Sequence, residues 1–214
     1  MPRRVIAGLA WLGAALVVIS APFAALADAP FSPGGWQALP GYAALVHDTL
    51  RPAFEFASPE WVLRIWEAPL ALGFALIAAS AGPLVMRARV NHPKIGYLIL
   101  IAAALLGMLA LGTGSEAALG TNSPLGFLYF LATPLAPLGA CAAGALALRA
   151  RALNRGSAWS LTAAPVASLG SLAVLPQFPA GTGLGLALAW AIAVLVGTRS
   201  PGYETEPVKG SPGG

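Results

Sequence analysis

The chain has 214 residues, 57% of them hydrophobic and only 9% charged, and its mean hydropathy is +0.76. An ordinary soluble domain carries about a quarter charged residues, so composition excludes a water-soluble globule and leaves one compact membrane domain, with no room for a second folded domain outside the bilayer. The net charge of +4 sits in short clusters beside apolar runs and forms no continuous basic face, which sets nucleic acid aside and makes lipid headgroups the expected partner.

Residues 1–27 fit two identities. Arg3 and Arg4, an apolar run, Pro22 and the small-residue pattern Ala25-Leu26-Ala27 before Asp28 match a secretory signal peptide. The apolar stretch 5–27 is also long enough for a first transmembrane helix. Either identity delivers Asp28 to the far side of the membrane.

Residues 28–67 form the one long polar segment, expected to be an outer (periplasmic) loop with short amphipathic helices. Within 41–51, Tyr42, Leu45, Val46 and Leu50 recur at helical spacing opposite His47, Asp48 and Arg51, and Pro52 should end that helix. Ser58-Pro59-Glu60 then supplies an N-cap, a proline at the first helical position and an acid in the first turn, so a new helix starts there. Trp36, Trp61 and Trp66 suit the headgroup level, where a ring with one polar edge is favoured.

The region 68–197 holds five further spans, expected at 69–86, 95–112, 124–148, 159–176 and 182–197. The uncharged run 95–112 is about as long as a helix needs to cross ~30 Å of hydrocarbon. A turn over 113–123 carries Glu116, and 176–181 is a second turn. The fifth span is the least apolar, with Ser160, Thr162, Ser168 and Ser171 in it. Pro83, Pro134, Pro137 and Pro165 should kink their helices. The tail 198–214, polar and rich in Pro and Gly, should be disordered.

Charge sorting orients this arrangement. Of the twelve Lys and Arg, all but Arg51 and Arg64 fall on one side when the amino terminus is cytoplasmic, as the positive-inside rule requires. The expected protein is an all-α polytopic transmembrane helix bundle of six spans, or five after signal cleavage. It lies in a bacterial inner membrane, with both termini cytoplasmic in the six-span form. Arg87, Arg89, Lys94, Arg149, Arg151 and Arg155 are then placed against lipid headgroups. The nine residues from Gly82 to Val90 resemble those from Gly144 to Ala152, each ending in Arg-Ala-Arg followed by a small or branched residue.

No charged residue lies well inside a span, which argues against ion-coupled transport, proton relay and voltage sensing, since those need buried ionisable groups. His47 and His92 fall on opposite sides and cannot share one haem across ~30 Å. No zinc, copper or iron ligand cluster, phosphate loop or nucleophile motif is present in the sequence, which leaves any cofactor, bound lipid, quinone or pigment unknown. The lone Cys141 reads as a small buried residue. Glu67 and Glu116 are expected at water-accessible outer helix ends. Trp36, His47, Asp48, Trp61, Trp66, Glu67 and Glu116 together make a candidate outer-face interaction surface. Small residues four apart, at Ala78 with Gly82 and Ala140 with Gly144, and around Gly8 and Gly13, suit close helix packing in lipid. These features lead to a non-catalytic accessory or assembly subunit of a larger membrane complex, with other membrane subunits as partners. The alternatives are a carrier of a small apolar or lipid-like molecule and, third, an enzyme acting at the outer surface.

Overall fold

The computed structural model describes residues 2–28, 59–119, 123–175 and 180–199, and every regular element among them is an α-helix. Helix α1 is Arg3–Asp28, α2 Pro59–Ser80, α3 Gly82–Asn91, α4 Pro93–Leu119, α5 Phe127–Ala150, α6 Arg155–Thr162, α7 Ala164–Val174 and α8 Ala180–Arg199. Five stretches are long and apolar enough to cross a membrane, and the pair α6 and α7 makes a sixth if its two bent parts count as one span. The protein is a multi-pass helix bundle. The expected amphipathic helix over 41–51, most of the outer loop and the tail beyond 199 lie outside the described residues.

The helices are longer than the apolar runs alone suggested. The second span covers Ile65–Val90 and the third Pro93–Leu119, so Glu116 stands on the last turns of α4 and not in a loop. A helix needs no apolar side chains where it leaves hydrocarbon, and hydropathy therefore marks the spanning part only. Proline acts in two ways. Pro83 and Pro165 each sit in the first turn of a new helix after a single turn residue, Ala81 or Ala163, whereas Pro134 and Pro137 lie within the unbroken α5. At Ala163 the axis bends by 50°, so the fifth span, expected as one helix over 159–176, is two.

The buried interior of the bundle mixes many alanines with large side chains such as Trp190, Phe74, Leu70 and Ile77. Its seams are lined by alanine, with Ala132, Ala136, Ala140, Ala143 and Ala147 of α5 fully buried at spacings of three and four. Large apolar side chains such as Leu100, Ile101, Leu131, Leu138, Val166 and Leu169 face outward. In lipid, apolar side chains gain nothing by leaving the exterior, so close backbone packing holds the helices together.

The neighbours close a ring: α1 against α2, α2 against α4, α4 against α5, α5 against α6, and α8 against α6, α7 and α1. Register follows from the closest approaches. A Cβ at Gly13 would lie 2.8 Å from the Gly73 carbonyl oxygen, and one at Gly73 would lie 2.8 Å from the Gly13 carbonyl oxygen. Phe23 stacks on Trp66 with centroids 4.1 Å apart, so α1 and α2 run antiparallel. Phe74 fills the space at Gly183, and Leu84 that at Gly197, so the α2 to α3 span and α8 run parallel. Arg3 and Arg199 therefore lie at the same end of the bundle.

The bent span is fastened along the whole of α8. Asn154 Nδ2 donates to the Val196 carbonyl at 3.0 Å, Ser157 Oγ to Ala193 at 2.7 Å and Ser160 Oγ to Ala189 at 2.7 Å. Beyond the bend, Ser171 Oγ donates to the Gly181 carbonyl at 2.6 Å and accepts from the Gly185 N–H at 3.0 Å. Since α8 has 20 residues, it spans about 30 Å at 1.5 Å per residue, and the bent pair covers the same depth. The bent pair thus runs along α8 from one end to the other without folding back. Of the polar residues that made this span the least hydrophobic, Ser160 and Ser171 are thus interhelical donors, whereas Thr162 donates to the Ala158 carbonyl of its own helix. Ser157→Ala, which removes a bond at a fully buried site, is expected to cost about 0.6–1.7 kcal/mol, read as a lower thermal midpoint in detergent.

Candidate functional site

The two ends of the bundle differ in charge. At Gly197 a Cβ would lie 2.8 Å from Leu84 Cδ2 and 3.2 Å from Ser157 Oγ, so the end of α8, the start of α3 and the start of α6 converge. With the helix directions above, Arg3, Arg4, Arg87, Arg89, Lys94, Arg149, Arg151, Arg155 and Arg199 share this basic end. Glu67 and Glu116 stand on adjacent helices at the opposite end, each within about one turn of the contact of Gly114 with Ala71.

At the acidic end one expectation changes. Glu67 is only 8% exposed and is not a solvated helix end. Helix α2 begins eight residues earlier, at Pro59, which moves Glu67 inside the packed bundle. Trp66 is half-buried and helps close α1 against α2 by stacking on Phe23. Glu116 is half-buried, and its Oε1 would lie 2.8 Å from a Cβ at Gly126, just before the start of α5. A carboxylate there opposes the positive end of that helix. Trp61 lies in the first turn of α2. Trp36, His47 and Asp48 fall outside the described residues.

The six basic residues assigned to headgroups separate into two clusters. In the first, the Arg89 guanidinium donates to the Tyr97 hydroxyl at 2.9 Å and lies 4.9 Å from the centre of that ring. Gly96 allows this by bringing the α4 backbone against Arg89, where a Cβ would stand 2.8 Å from Arg89 Cα. Lys94 is exposed and Arg87 half-buried. His92 caps the junction, its N–H bonded to Ala88 at 2.8 Å and its carbonyl accepting from Ile95 at 3.0 Å, as a helix-entry residue should.

The second cluster has a cavity. A groove of about 760 Å³ opens between the end of α5 and the start of α6, walled by Leu148, Leu153 and Trp159 and rimmed by Arg149, Arg151 and Arg155. No acid lines it. Its shape comes from two caps. Helix α5 ends with Arg151 in the left-handed region, φ 53°, where the Ala152 N–H returns to the Ala147 carbonyl at 3.0 Å. This is a Schellman-type ending that usually takes glycine. Helix α6 starts at Asn154, whose side chain accepts from the Ser157 N–H at 2.7 Å. Because the same side chain also holds Val196, the groove is anchored to α8.

Both basic residues at these caps are locally unfavourable. Among the described residues Arg151 is the sole non-glycine with positive φ, a conformation that costs an L-residue roughly 1–2 kcal/mol. Arg155 occupies the first position of α6, where the backbone dipole already presents positive charge. The Arg-Ala-Arg repeats consequently differ in structure. Arg89 lies within helix α3 while Arg151 lies past the end of α5, and Gly82 faces open space where Gly144 is pressed against Ala158 and Thr162. Sequence reasoning named the three arginines but missed Asn154 and Trp159. The Asn-x-x-Ser spacing before an apolar run was the available signal for the cap.

Comparison with models of protein families, with curated proteins and with solved structures finds no match to the chain.

Proposed function

We propose that this integral membrane protein is a non-catalytic structural subunit of a larger complex in a bacterial inner membrane, with its basic end in the cytoplasm. One observation carries the reading: large side chains close α8 against its neighbours from end to end. Phe74 occupies the space left by Gly183 near the start of α8, Trp190 is fully enclosed at mid-helix, and Leu84 occupies the space left by Gly197 at the basic end. A carrier must open a path through the bundle, and each of these contacts would have to separate. A filled, alanine-seamed bundle instead offers rigid outer faces to neighbouring helices. The positive-inside rule supports the orientation, and the packing of α1 into two neighbours supports its retention as a helix in the folded protein.

Purification of the full chain from its native membrane in mild detergent tests this. A stoichiometric protein partner that remains through size exclusion is expected. A chain that runs alone, with an apolar molecule held inside the bundle, would overturn the proposal in favour of a carrier.

A further inference from the structure

We infer that the groove between α5 and α6 is a binding site for the phosphate headgroup of an anionic membrane lipid, with Arg149, Arg151 and Arg155 as its phosphate ligands and Trp159 as its apolar wall.

Three observations converge on one ligand chemistry. The first is charge without compensation: the groove is rimmed by three guanidinium groups, no acid lines it, and none of the three has an ion-pair partner among the described residues. Guanidinium is the planar donor that matches phosphate oxygens in pairs. The second is local conflict. An arginine sits where the turn favours glycine, and another sits at the positive end of a helix. Each choice opposes the local preference of the backbone, and both point to the same cavity. Rule-breaking residues that cluster at one place mark a function. An anion seated there relieves the charge conflict, because the three arginines and the positive start of α6 then face a common negative group.

The third observation selects a lipid over free phosphate. The groove is several times larger than one phosphate needs, and its volume of about 760 Å³ lies within the range of about 300–1,000 Å³ typical of small-molecule sites. Beyond the arginines it continues onto apolar surface. Trp159 is 62% exposed one turn after Arg155, and Leu148 and Leu153 form the floor. A cationic rim above an apolar wall at the end of a spanning helix fits a headgroup with its glycerol and the start of its acyl chains. The Arg89 cluster differs on this point, because its guanidinium is already engaged by Tyr97. The inference does not depend on the subunit role, since a chain that purifies alone would still carry the groove.

Native mass spectrometry of the full chain, with phosphatidylglycerol, cardiolipin or phosphatidylcholine added in turn, tests the site. The variants are Arg151→Gly, Arg149→Gln combined with Arg155→Gln, and Arg4→Gln as a control that removes an exposed charge at the same end of the bundle outside the groove. Wild type is expected to retain the two anionic lipids over phosphatidylcholine. Each groove arginine removed should weaken that retention roughly fivefold, with Arg4→Gln unchanged. Arg151→Gly separates binding from folding: glycine suits φ 53°, so lipid-free thermal stability should hold or rise while anionic-lipid retention falls. Retention unchanged in the groove variants, or lost equally in Arg4→Gln, would overturn the inference. Millimolar inorganic phosphate that displaces the lipid and reproduces its thermal shift would overturn the lipid assignment.

Discussion

Gly185→Leu is expected to abolish the folded bundle, leaving aggregated or proteolysed chain in place of a monodisperse peak after detergent extraction. A Cβ at Gly185 falls on the Ala167 carbonyl oxygen and within 2.5 Å of Ser171 Oγ, so even alanine forces α7 away from α8. Backbone cannot rotate aside as a flexible side chain can. Overpacking in an ordinary core costs about 1–3 kcal/mol, and here the clash also removes the hydroxyl bridge from Ser171 to Gly181 and Gly185. Gly185→Ala should therefore already lower the thermal midpoint by more than Ser157→Ala does. An unchanged midpoint for Gly185→Ala would mean that α7 and α8 are not packed as described.

The second large effect is a change of sign between two glycines on one helix. Gly13→Ala places a methyl group against the Gly73 carbonyl and Ile77 and is expected to destabilise by about 1–3 kcal/mol. Gly8→Ala meets nothing within 4 Å and should stabilise by about 0.5–1 kcal/mol, because alanine is the better helix former. Gly73→Ala should match Gly13→Ala, since the two positions are reciprocal. Thermal unfolding of the three variants in one detergent reads this directly. Equal effects at Gly8 and Gly13 would place the α1 to α2 crossing elsewhere.

That pair also shows where sequence reading ends. Hydropathy and charge located the spans because lipid imposes length and polarity on each helix separately, and Pro165 marked the place of the break. Which glycine is packed depends on the register of two helices, and no local pattern records it. Gly8 and Gly13 look alike in sequence, as do Gly82 and Gly144, yet one of each pair faces open space. Trp66 is a similar case: a tryptophan near a span end suits the headgroup level, and its stack on Phe23 is not visible in the sequence. The serines of the fifth span counted against its hydrophobicity, although each bonded one finds a carbonyl or N–H of α8. At the groove the three arginines were legible as a cluster. Their convergence on one cavity required the left-handed turn at Arg151, which an arginine codon does not announce.

Cysteine labelling tests most directly whether the chain makes six crossings with all its basic helix ends on one side. In a Cys141→Ala background, Leu125→Cys, Val174→Cys and Val90→Cys, all at exposed positions, would each be exposed to a membrane-impermeant maleimide in intact spheroplasts and again after lysis. Leu125→Cys and Val174→Cys should label in intact cells, and Val90→Cys only after lysis. Labelling of Val174→Cys only after lysis would mean that α6 and α7 return to the basic end without crossing, and would contradict the bundle described here.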